Sequence, residues 1–189
     1  MADIVFVLDA SSSEGAVNFH KQLDFVSRVA NDFLIGPAKV QIGVVTFAET
    51  PNIEIKLNQY SDKAALLTAI QMIAYTQGTT HTDLALKLTR EQMFTRDAGD
   101  RDDAKDYVII LTDGVSADSN FTQTEAAMLK QLGIEIIAIG IGEGVNNQEV
   151  TGMASDGNHA FTVSDFSVLP TIREEIKKAA CEGRLCWIF

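Results

Sequence analysis

Four nearly unbroken apolar runs, Ile4–Leu8, Val40–Phe47, Tyr107–Leu111 and Ile134–Ile141, constrain this chain more than any other feature. Runs rich in β-branched residues and bounded by small polar ones read as strands buried on both faces. Such strands occur inside parallel sheets covered by helices. Between them the apolar spacing changes to threes and fours. Phe19, Leu23, Val26, Val29, Ala30 and Phe33 predict a helix from Gly15 to the stop at Gly36-Pro37. Ile53–Leu57 alternates as a short edge strand pairing with Val40–Phe47. Further helices are expected after Ser61-Asp62, with Ser61 as cap, over Leu84–Phe94, over Thr122–Leu132, over Asn146–Ser155 and over Phe166–Ala179; a last strand is expected over His159–Val163. Arg96–Lys105 reads as a solvated connection. The alternation predicts an α/β fold: a doubly wound, mostly parallel six-stranded sheet with one short antiparallel edge strand and helices on both faces. One domain over residues 1–180 and a C-terminal tail over 181–189 is the simplest division.

The strands end in oxygen. Asp9, Ser11 and Ser13 follow the first run, and Thr112-Asp113-Gly114 follows the third. The carboxyl edge of an open α/β sheet is where ligands bind. Carboxylates and hydroxyls turning out of rigid strands suit a hard cation, with magnesium expected and manganese or calcium as substitutes. Calcium prefers more ligands and longer distances than this set offers.

Charge narrows the partners. A net charge of −11 over 189 residues argues against nucleic acid, which calls for a basic face, and is compatible with cation attraction. No stretch reaches the roughly 18 apolar residues of a membrane span, and no basic-then-apolar leader is visible, so a secreted protein would have lost its signal peptide before Met1. Cys181 and Cys186 are the only two cysteines. They could close a small disulfide loop or pair outside this chain, and no Cys or His pair stands beside them at zinc-ligand spacing. Asn120-Phe121-Thr122 is a glycosylation sequon, meaningful in a secreted protein.

Asp9-x-Ser11-x-Ser13, Thr80 in the loop Gly78-Thr79-Thr80-His81-Thr82, and the apolar strand ending Thr112-Asp113-Gly114 stand in one order. Together they resemble the von Willebrand factor type A domain with its metal-ion-dependent adhesion site (MIDAS). The resemblance covers about residues 3–180 and leans toward the matrix branch of the family, that of matrilins and collagen-associated A domains. It implies that Ser11 and Ser13 ligate the cation directly, that Thr80 is a hydroxyl ligand that comes and goes, and that Asp9 and Asp113 act mostly through water. It further implies an open cation position filled by an acidic side chain of a partner such as collagen, and a closing helix whose shift alters affinity. The parent protein would be secreted and multidomain, and this part of it no enzyme. An intracellular assembly module of the same family is the alternative; the sequon and the cysteines lean against it.

Two positions depart from the family pattern. Position 12 is Ser where Gly is common, and position 14 is Glu where an apolar residue is usual. Glu14 is expected to point to solvent, as exposed Glu ordinarily does, and with His81 and Ser116 to border the partner-binding rim. A hydrolase reading of His81 lacks a nucleophile elbow. Gly140, Gly142 and Gly144 miss the spacing of a dinucleotide loop and read as a tight turn with close packing.

Overall fold

The computed structural model describes residues 1–174 and 178. The first apolar run becomes β1 (Ala2–Asp9), buried along its whole length, with β2 (Val40–Phe47) equally buried beside it. A short β3 (Asn52–Ile55) pairs antiparallel to β2. On the other side of β1 lie β4 (Lys105–Thr112), β5 (Glu135–Ile141) and β6 (Ala160–Val163), all parallel. The six-strand order is β3-β2-β1-β4-β5-β6, so the expected architecture is the observed one. β1 sits between β2 and β4, at the point where the connections diverge.

The period of two along each strand divides the core. Ile4, Phe6, Leu8, Ile109 and Leu111 face one side, with α1 (Gly15–Asn31) and α2 (Lys63–Gln71) over them. Val5, Val7, Val108 and Ile110 face the other. There they meet α3 (Thr82–Leu88), α4 (Ser119–Gln131) and α5 (Asn147–Met153). Among the described residues no helix is long and apolar enough to cross a membrane.

Several boundaries differ from the expected ones for local reasons. α1 ends at Asn31, ahead of Gly36, because the chain turns at Asp32 to bury Phe33 and to bridge Ile35 to Val40. Asp62 caps α2 instead of Ser61, accepting from the Ala65 amide at 2.9 Å. Asp118 caps α4, which starts three residues early. α3 runs on as a π-helical turn over Thr89–Met93. The expected closing helix begins as a 3-10 turn over Leu169–Ile172 and is helical at Arg173 and Glu174, with Arg173 paired to Asp32; residues 175–177 and 179–189, with Cys181 and Cys186, lie outside the described residues.

The connection before β4 does more than link elements. Arg101 donates to Asp3 through Nη2 at 2.6 Å, to the Ala2 carbonyl at 2.9 Å, to Lys39 at 3.1 Å and through Nη1 to Pro37 at 2.7 Å. It clamps the amino ends of β1 and β2 around a fully buried carboxylate. The expectation of a solvated loop is corrected at this residue: Asp3, the second residue of a buried strand, needs a counter-charge. Arg101→Ala leaves that carboxylate unpaired and should destabilise the domain by about 3–5 kcal/mol in urea unfolding, with Asp3→Asn in the same chain recovering part of the loss. A loss under about 1 kcal/mol would reduce the clamp to a surface ion pair.

Candidate metal centre

The carboxyl ends of β1 and β4 lie side by side because the strands pair in register from Ala2↔Lys105 to Leu8↔Leu111. One residue further, Thr112 Oγ1 donates to Asp9 Oδ2 at 2.8 Å. The other oxygen of Asp9 accepts from the Ser11 amide at 2.9 Å, turning the chain outward. Ser11 and Ser13 then bring their hydroxyls to 3.0 Å from each other, and Ser13 donates to Asp113 Oδ1 at 2.7 Å. Asp9, Ser11, Ser13 and Asp113 thus form one connected group of oxygens.

Thr80 reaches the group through its loop. The segment after α2 has no regular structure, and its backbone is held by its neighbours. Gln77 N donates to the Ala10 carbonyl at 3.0 Å and Ser12 N to that of Gly78 at 2.9 Å. On its far side, Ala117 N donates to the Thr80 carbonyl at 2.9 Å. A methyl group on Gly114 would lie 3.6 Å from Thr80 Oγ1 and 4.0 Å from Ser13 Oγ, which places both hydroxyls above that glycine.

Three positioning residues escaped the sequence reading. Ser12 Oγ accepts from the Gly78 amide at 3.1 Å, so the unusual serine pins the Thr80 loop. Tyr75 donates its hydroxyl to the Ser11 carbonyl at 2.9 Å and accepts from the Gly15 amide at 3.2 Å. Glu149 of α5 accepts from Ser116 N at 3.1 Å and from the Ser119 hydroxyl, anchoring the loop after Asp113. None has a sequence signal, since each acts across more than twenty-five residues of chain.

The rim differs from the expected one. Ser116 is only 7% exposed, with its amide spent on Glu149 and its hydroxyl 2.7 Å from Thr122 Oγ1, so it supports the loop and does not border the surface. His81 is half-buried, its Nδ1 3.3 Å from Asp83. Val17 and Val115, 73% and 47% exposed, flank the oxygens along the chain and were not singled out. Asn120 is exposed in the first turn of α4. The glycines after β5 do make a tight turn: Gly142 has φ +83°, and a Cβ on Gly144 would come within 2.8 Å of the Asp113 carbonyl.

Glu14 is the largest correction. It is 2% exposed, and neither carboxylate oxygen has a hydrogen-bond partner. Position 14 directly precedes α1, in helical conformation, with its side chain turned inward. One carboxylate oxygen from each of Asp9, Glu14 and Asp113 lies within 4.8 Å of the other two. Burial, together with the charges of Asp113 and Asp9, pushes the Glu14 carboxyl up to about 10. Burial likewise raises Asp9 to about 6 against the hydrogen bonds from Ser11 and Thr112, and raises Asp113. Among the described residues no ion pair reaches any of the three. Three carboxylates converging without a basic partner, beside two hydroxyls, fit a divalent cation in donor type and in charge.

The profile of the von Willebrand factor type A domain matches residues 3–175. The mouse (Mus musculus) collagen alpha-4(VI) chain is 34% identical over 185 residues, 98% of this chain and 8% of its own length. The collagen alpha-1(XII) chain of Notophthalmus viridescens is 35% identical over 184 residues, 96% of this chain and 20% of its own length. This chain therefore spans a fifth or less of those relatives. Among solved structures, proximal thread matrix protein 1 from the mussel byssus, with a zinc-occupied MIDAS motif, superposes with a TM-score of 0.87 at 34% identity, over 95% of this chain and 46% of that one. Manganese-loaded Plasmodium vivax TRAP shares the fold, with a TM-score of 0.75 at 23% identity over 93% of this chain and 73% of that one.

The buried carboxyls set a pH dependence for the metal-free domain. Glu14 holds its proton in the folded chain up to about 10 and in the unfolded chain only to the ordinary 4.5, so folding is favoured below that window and loses stability as pH rises through it. Asp9 adds a smaller loss between 3.8 and about 6. After chelator treatment, the urea midpoint should fall from about pH 5 to about pH 9, and Glu14→Gln should flatten most of that slope. An equally steep slope in the variant would assign it to other groups.

Proposed function

This chain belongs to the von Willebrand factor type A domain family, and from that premise we propose that it is a protein-binding module of an extracellular matrix or cell-surface protein. It holds a divalent cation through Ser11, Ser13 and Thr80, with Asp9 and Asp113 as charge partners, and presents that cation to an acidic side chain of its partner. The observation that carries this reading is the convergence of the three separate loops on one group of oxygens at the β1/β4 edge. The cation supplies an electrophilic point at which a carboxylate exchanges for water. The chain's own residues fix where that point lies: Thr112 and the Ser11 amide orient Asp9, Ser13 orients Asp113, and Ser12 with Tyr75 hold the loops together.

Magnesium is the proposed ion, because neutral hydroxyls and few protein ligands leave it the water it retains. The zinc and manganese in the two related structures favour a site open to several divalent ions. The collagen chains among the relatives favour a matrix partner, collagen or a similar protein, over an intracellular assembly role. The exposed Val17 and Val115 suit a partner with apolar side chains beside its acid. His81 lies at the same face, and a glycan on Asn120 would border it. Secretion and a larger multidomain parent belong to the same reading.

Calorimetric titration of the chelator-treated domain with magnesium should give one saturable event, lost in Ser13→Ala and in Asp113→Ala while circular dichroism stays unchanged. Capture of a collagen-type matrix protein should require the cation. Binding that is equal with and without chelator would place the partner on another face.

A further inference from the structure

Glu14 is buried without the pairing that a buried acid calls for. Its side chain is 98% withdrawn from water, since only 2% is exposed, and both of its oxygens lack a hydrogen-bond partner. Gln22, beside it, gives its Nε2 to the Asp9 carbonyl at 2.8 Å, and its own Oε1 is likewise buried without a partner. No described basic side chain pairs with it. Charged and without a cation, a carboxylate in that state lacks solvation, and the uncharged polar side chain beside it is the amide of Gln22. Hydrogen bonds within the chain satisfy Asp9 and partly satisfy Asp113, but none satisfies Glu14. What Glu14 does have is position, with a carboxylate oxygen within 4.8 Å of one from Asp9 and one from Asp113.

We propose that Glu14 is a third carboxylate donor of the cation site, supplied by this chain itself. The proposal rests on the cation-site reading above and deepens it. Affinity for a hard divalent cation rises with the number of ligand charges. Three carboxylates outweigh the charge of a dication, so this site holds its ion without help from a partner. The same excess of negative charge weakens the ion's pull on an incoming acid. The domain would therefore retain its cation as a standing structural element, and the partner's apolar contacts would carry a larger share of recognition than in a site with two carboxylates. Folding and cation binding are coupled through the same residue: the ion relieves a buried group that the metal-free chain leaves uncompensated.

Manganese titration tests this, with free ion counted by electron paramagnetic resonance on chelator-treated wild type, Glu14→Gln and Ser13→Ala. Glu14→Gln keeps the shape and removes the charge; it should weaken manganese binding by about 10- to 100-fold. Its metal-free melting midpoint should lie above that of the wild type, and saturating manganese should close or reverse the gap. Glu14→Leu fills the same space with an apolar side chain and should behave alike, which guards against a folding defect peculiar to one variant. If Glu14→Gln binds manganese as tightly as the wild type while Ser13→Ala does not, the third-carboxylate role is wrong and the cation site stands. If the wild type itself binds no manganese, the cation site falls and this role with it.

Discussion

Parallel pairing of β1 with β4 is the contact on which the rest of the structure depends. Both strands are buried on two faces, so each needs a helix layer above and below. Their in-register ladder forces their carboxyl ends to the same height. The connections diverge there, with β1 followed by α1 and β4 by α4 on opposite faces, and the divergence leaves a crevice at the strand ends. Asp9 and Asp113 are neighbours because Leu8 and Leu111 are. The hydrogen bond from Thr112 to Asp9 is the point at which the core ladder passes into the site.

Around that edge the domain gathers three carboxyl groups and gives them no basic partner among the described residues. Three buried acids elsewhere are held by partners: Asp3 by Arg101, Glu125 by Arg90, and Glu149 by the Ser116 amide and the Ser119 hydroxyl. The contrast separates acids that serve the fold from those that serve a ligand, since a buried charge without a partner is retained against its own desolvation. On the proposed cation-site reading, Asp9, Glu14 and Asp113 belong to the second kind. The hydrogen bonds that orient Asp9 and Asp113 come from neutral groups, which fix geometry and leave the charge in place.

Much of this was legible in the chain. The four apolar runs became four of the six strands, and the period change between them located the helices. Asp9, Ser11, Ser13 and Asp113 meet as their spacing after the strands suggested. Less legible were the features set by contact at a distance. Arg101 reads as one charge among many in RDAGDRDDAK until Asp3 is seen beneath it. Ser116 reads as a rim hydroxyl until Glu149 and Thr122 enclose it. Ser12 reads as a departure from pattern until Gly78 is placed against it. Helix ends shifted for the same reason, because caps such as Asp62 and Asp118 compete with neighbouring Ser, and backbone geometry selects between them.

Local periodicity determined the layers, since burial on two faces or on one leaves its mark on each successive residue. The family pattern and the oxygen donors at the strand ends were likewise written in the linear order. The direction of Glu14 was not. A glutamate at the start of a helix faces solvent in most settings, and no neighbour in sequence says otherwise. The packing of α1 against the sheet, with Gln22 over Asp9 and Tyr75 closing the turn at Gly15, decided that this one faces inward. Burial is a property of the assembled layers, and only their assembly turned an ordinary surface residue into a third acid beside the two that the strands deliver.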